Sequence, residues 1–144
     1  MTQVAQVLQS KPNQQLFTID AQDSVYDAIK LMAEKGIGAL IVMGGEDIAG
    51  IVTERDYARK VVLKDRSSKS TKVLEIMSSA VRYVHPEQTS QDCMALMTEH
   101  RIRHLPVLDK GRLIGMISIG DLVADIISEQ QFMIEQLEQY ITGR

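Results

Sequence analysis

An α+β fold built from two β-α-β-β-α repeats is what the spacing of this chain predicts, on three observations. At an offset of 65 residues and without a gap, Asp27, Leu31, Met32, Glu34, Ile37, Leu40, Val42, Gly50 and Asp56 recur as Asp92, Leu96, Met97, Glu99, Ile102, Leu105, Val107, Gly115 and Asp121. Each copy groups short apolar runs of strand type around a segment with helical period. Each helical segment opens with a hydroxyl residue followed three positions later by Asp, the local signature of a helix start.

The elements follow in chain order. "VAQVL" from Val4 resembles "VLEIM" from Val73 at an offset of 69, so the first copy carries about four extra residues around Pro12 to Gln15. "LFTI" reads as a short strand. Ser24 and Asp27 then start a helix whose apolar residues Val25, Ala28, Ile29 and Met32 share one face, and Thr89 with Asp92 repeats that start. "ALIVM" (39–43) and "IAGIVT" (48–53) flank the turn-rich "GGED", as "HLPVL" (104–108) and "LIGMIS" (113–118) flank "DKGR", so both pairs read as hairpins. Helices follow, "RDYARKVVL" in the first copy and a longer one from about Gly120 to Ile141 in the second. The polar, aperiodic "KDRSSKST" (64–71) reads as a linker. The expected division is residues 1–65 for the first repeat, 66–128 for the second and 129–144 for a C-terminal helical extension.

Composition excludes several classes of function. A net charge of −3 offers no positive field for nucleic acid or an anionic membrane surface, so neither is expected as a partner. No apolar run approaches the roughly 20 residues of a spanning helix, and "MTQVAQVLQSK" lacks a signal-peptide core, which places the chain in the cytoplasm as an expectation. Cys93 is the single cysteine, which rules out an intrachain disulfide and a cysteine-based metal cluster; it falls on an apolar helix face and reads as core. Met32, Met77, Met94, Met97 and Met116 read as core filling. His85, His100 and His104 have no metal-ligand spacing, and no G-x-S-x-G, P-loop or G-x-G-x-x-G is present. "GIGALIVMGG" places its glycines before a strand instead of after one. No catalytic residue, metal ligand or catalytic cofactor is expected.

The repeated stretches "GIVTERD" (50–56) and "GMISIGD" (115–121) carry two readings. In one, Thr53 and Ser118 are N-caps, Asp56 and Asp121 complete capping boxes, and each cap is worth about 1 kcal/mol. In the other, the same helix start serves a nucleotide. Free N–H groups and the positive dipole end attract phosphate, the hydroxyl bonds a phosphate oxygen, and the carboxylate accepts from the vicinal hydroxyls of a ribose.

The doubled pattern "DSVYDAIKLMAEKGIGALIVM…IAGIVTERDYARKVV" and "QTSQDCMALMTEHRIRHLPVLDKGRLIGMISIGDLVADII" resembles a tandem pair of cystathionine-β-synthase (CBS) domains, a Bateman module, over about residues 4 to 127. The resemblance implies two repeats packed about a pseudo-twofold axis, with two clefts that take adenosine ligands such as AMP, ADP, ATP, S-adenosylmethionine or NAD, AMP foremost, and no catalysis. It implies Asp121 for the ribose of the second cleft, Ser118 and Gly120 near the phosphate, Arg103 and His104 as cationic partners, and Phe17, Ile37, Gly38 and Met116 around the base. For the first cleft it implies Asp56, Thr53 and Arg55, with Ile51, Ala39, Arg82 and Ile102 around them, while Lys11 and Arg59 are looser phosphate candidates. Gly38 and Ala39 stand where the second copy has Arg103 and His104, so the two sites are expected to bind unequally.

The alternative is a ligand-independent scaffold that regulates a partner protein. "DLVADIISEQQFMIEQLEQYITGR" extends past the repeat, and Leu122, Ile126, Met133, Leu137 and Ile141 keep a helical stripe with Phe132, Ile134 and Tyr140 adding apolar surface. The resemblance implies a homodimer, which this tail is placed to fasten.

Overall fold

The computed structural model describes residues 2–11 and 16–143; the expected insertion at Pro12 to Gln15 lies outside them. The chain forms two compact units, Leu16–Val81 and a second made of Met1–Gln15 with Arg82–Arg144. The packing units therefore cross the repeat boundaries expected at 65/66.

In the Leu16–Val81 unit, β1 (Thr18–Asp20) runs parallel to β2 (Ala39–Gly44), which pairs antiparallel with β3 (Asp47–Thr53). Helix α2 (Val25–Lys35) lies between β1 and β2 in sequence; Ser24 Oγ accepts from the Asp27 N–H, and Gly36 in the left-handed region ends the helix. Its Val25, Ala28 and Met32 join Ile19, Leu40, Val42, Val52, Val61, Val73 and Ile76 in one core, and full burial of a Val, Leu, Ile or Met side chain contributes about 1.5–3 kcal/mol. After β3, α3 (Glu54–Tyr57) passes directly into a π-helical turn, Ala58–Val62.

The second unit places α1 (Val4–Ser10) and α4 (Ser90–His100) with the hairpin β4 (His104–Asp109) and β5 (Arg112–Ser118) and the start of α5 (Ile119–Thr142). Val4, Val7, Val84, Cys93, Met97, Leu105, Val107, Ile117 and Leu122 form its core. The hairpins match down to an irregularity at Val42/Met43 and at Val107/Leu108.

The units exchange the leading segments of the two repeats. The backbone N–H groups of Val4, Ala5 and Ser90 donate to the carbonyls of Gln88, Pro86 and Thr2 in one unit, and those of Val73, Leu74 and Val25 donate to the carbonyls of Asp23, Ala21 and Thr71 in the other. These are the same three bonds, made each time by the other repeat's leading segment. The segment 64–71 is consequently no loose linker. Thr71 is buried, Ser68 accepts from the Tyr26 N–H through its carbonyl, and Ser68 Oγ meets the Tyr57 hydroxyl at 3.1 Å.

One expected element is reduced. The strand opening the second repeat shrinks to a single parallel bridge, Val84 to Val107, in the register that pairs Ile19 with Val42. Pro106 stands where the first repeat has Ile41, and without an N–H it has nothing to donate to a longer ladder.

Candidate nucleotide-binding residues at two helix starts

Each unit builds the same arrangement at the end of its hairpin. In the Leu16–Val81 unit, the Thr53 N–H donates to Asp56 Oδ2 at 3.0 Å, the Asp56 N–H donates back to Thr53 Oγ1 at 3.1 Å, and the Glu54 N–H donates to the Gly38 carbonyl at 3.1 Å. In the other, the Ser118 N–H donates to Asp121 Oδ2 at 2.8 Å, the Asp121 N–H to Ser118 Oγ at 3.2 Å, and the Ile119 N–H to the Arg103 carbonyl at 2.9 Å. The capping reading of both stretches is therefore realised. Among the described residues the N–H groups of Arg55 and Gly120 have no partner, which leaves one donor at each helix start for an anion.

Both carboxylates also hold an ammonium. Lys60 Nζ lies 3.3 Å from Asp56 Oδ1 and donates to the Ile76 carbonyl at 2.9 Å. Lys11 Nζ lies 3.1 Å from Asp121 Oδ2 and donates to the Met116 carbonyl at 2.7 Å. The same lysine, carboxylate and carbonyl set is reached from unrelated places in the chain. Lys60 is 46% exposed, so its pair is worth about 0–1 kcal/mol, whereas Lys11 and Asp121 are shielded to 25% and 19%. Lys11 thus sits on the carboxylate of the Asp121 helix start. Sequence reasoning passed over Lys60, although its i,i+4 spacing from Asp56 was the available signal.

Met116 is half-buried and Ile102 half-buried against the second core. Ala39, in register with Thr53, is buried, while Ile51 is half-buried and bridges Ser78. Ile37 and Phe17 pack on the first core, with Lys35 Nζ 5.1 Å from the centre of the Phe17 ring. Arg55, Arg59, Arg82 and Arg103 are exposed. Phe17, Ile37 and Gly38 belong to the Leu16–Val81 unit, and Arg82 and Ile102 to the other, so each site's own unit supplies its helix start, carboxylate and lysine.

His104 departs from expectation. Burial is the main influence and pushes its pKa down from 6.5; Lys11 and Arg103 act in the same direction against the opposing pull of Asp121. The imidazole is neutral at pH 7, so of Arg103 and His104, the two cationic partners expected there, Arg103 is the one that carries a charge. Burial also pushes the Cys93 thiol up to about 11, with the Asp92 charge adding to it, which fits a core residue. Among the described residues no group of His, Cys, Asp and Glu is placed to hold a metal ion, and no helix is long and apolar enough to cross a membrane.

Residues 4–63 and 73–128 each match the CBS domain. The chain belongs to the CBS-domain family. It is 47% identical over 126 residues to a mitochondrial CBS domain-containing protein of Arabidopsis thaliana, covering 84% of this chain and 61% of that protein. It is 30% identical over 116 residues to a CBS domain-containing protein of Bacillus subtilis, covering 81% and 82%. The chain thus spans about three-fifths of the Arabidopsis protein. A solved CBS-domain protein from Burkholderia ambifaria superposes with a TM-score of 0.86 at 67% identity, covering 90% of this chain and 96% of that one. The Asp56 and Asp121 helix starts are equivalent positions of the two CBS repeats.

Proposed function

We propose that this tandem CBS pair is a non-catalytic regulatory module that binds an adenosine nucleotide, AMP foremost and ADP, ATP or NAD by the same groups. The observation that carries the reading is the duplicated helix start, where a shielded Asp carboxylate is held in one orientation twice with an unpartnered backbone N–H beside it. The carboxylate suits the vicinal hydroxyls of ribose, and the free N–H with the nearby arginine suits a phosphate. The Asp121 site has Arg103 where the Asp56 site has Gly38, so the two differ in the charge they offer a phosphate.

Titration calorimetry with AMP, ADP, ATP and NAD is the test. Binding in the submicromolar to millimolar range is expected, with Asp121→Ala weakening its site by about 1.5–3 kcal/mol per lost charge-assisted hydrogen bond. Because this variant also loses half of a capping box, its circular dichroism must match wild type before lost binding counts. No heat and no thermal shift with any of the four ligands would favour the second reading, a ligand-independent scaffold, which the exposed apolar residues of α5 support.

A further inference from the structure

Helix α5 outruns the unit it starts on. Leu122 is its only buried residue, and residues 130–143 are exposed throughout. An isolated helical stretch of that length is marginal in water, yet this one carries Met133 at 62%, Ile134 at 55%, Leu137 at 59% and Ile141 at 80% exposure. At 100° per residue these fall with Ile119, Val123, Ile126 and Ile127 in one stripe about 120° wide, and Gln130 sits at its centre.

The stripe is a palindrome about that glutamine. Ile127 and Met133 stand three residues either side of it, Ile126 and Ile134 four, Val123 and Leu137 seven, Ile119 and Ile141 eleven. In an isologous twofold interface residue i faces j and j faces i, so a pattern that reads alike from both ends sets apolar residues against apolar residues along the whole pair. We propose that α5 pairs antiparallel with α5 of a second copy of this chain, centred on Gln130. The two Gln130 amides then meet on the twofold axis and bond each other, a polar pair that holds the register.

Charge selects the direction. Between Ile119 and Thr142 the helix carries Asp121, Asp125, Glu129, Glu135 and Glu138 and no Lys or Arg, with Glu129 and Glu138 at the stripe's edges. A parallel pair in register sets Glu129 against Glu129 and Glu138 against Glu138, which is repulsive. The antiparallel pair sets Glu129 against Gln131 and Glu138 against Leu122. The inference is independent of nucleotide binding.

Cysteine cross-linking of the full chain tests it, since Cys93 is fully buried with its thiol pushed up to about 11 and leaves any introduced cysteine as the reactive one. Gln130→Cys is expected to form a disulfide-linked dimer under mild oxidation. Leu137→Cys is not, because the two copies of that residue lie about 21 Å apart along the pair and a disulfide needs Cα atoms within about 7 Å. The double variant Val123→Cys with Leu137→Cys restores cross-linking. In sedimentation the wild-type chain runs as a dimer and Leu137→Glu as a monomer that still unfolds cooperatively, because Leu137 is exposed in its own chain and lies outside both cores. A monomeric wild type, a Leu137→Glu variant that stays dimeric, or cross-linking of Leu137→Cys as fast as Gln130→Cys would each overturn the proposal; a monomeric wild type would leave the stripe to a different protein.

Discussion

Gly50 and Gly115 recur because another segment lies on each of them. A Cβ on Gly50 would sit 2.5 Å from the Ser78 carbonyl oxygen and 2.9 Å from Met77 Sδ, while one on Gly115 would meet Leu8 Cδ2 at 2.8 Å. Ser78 is fixed, since its N–H and carbonyl both bond Ile51, at 2.9 and 3.0 Å. Leu8 Cδ2 is the end of a side chain that rotates. Gly50→Ala is therefore expected to cost about 1–3 kcal/mol and Gly115→Ala less, as read from urea midpoints; equal losses would show that the fixed backbone contact is not what decides. His104 links stability to pH. It is held neutral in the fold, whereas the unfolded imidazole titrates near 6.5, so below that pH the unfolded chain binds the extra proton and stability falls as pH drops. The urea midpoint of wild type should decrease from pH 7.5 to pH 5.5 by more than that of His104→Gln, and identical decreases would contradict the half-buried, neutral histidine.

At the scale of elements, local rules decide starts and tertiary contacts decide extents. All four helices that open with a hydroxyl residue and an Asp three positions on, at Ser24, Thr53, Thr89 and Ser118, show the cap expected of them, because the bonds close within three residues. Lengths were less legible. The helix after β3 turns π-helical at Ala58, and the strand expected at the head of the second repeat is cut to one bridge beside Pro106. Lys60 rides on that π-helical turn, where its ammonium reaches both Asp56 and the Ile76 carbonyl.

At the scale of the molecule, the two repeats are interleaved. Val4 and Val7 belong to the core of the second repeat's hairpin, and Val73 and Ile76 to that of the first. A chain cut at the repeat boundary loses these contacts on both sides. Residues 66–144 expressed alone should show no cooperative thermal transition by circular dichroism, since their core lacks both valines while Val73 and Ile76 are left exposed. A sharp transition in that fragment would mean that α1 is dispensable to the unit.

The sequence by itself determined the duplication, the hairpins, the helix starts and the two Asp residues of the candidate site, because each is written in periodicity or in bonds spanning three or four residues. It offered both a capping and a ligand reading of the hydroxyl and Asp pairs, and the structure shows the caps, with one N–H to spare at each helix start. Only the tertiary structure brought Lys11 to Asp121, neutralised His104 and set each leading segment on the other repeat. Those outcomes depend on burial and on groups far apart in the chain, and neither is encoded in the spacing of neighbouring residues.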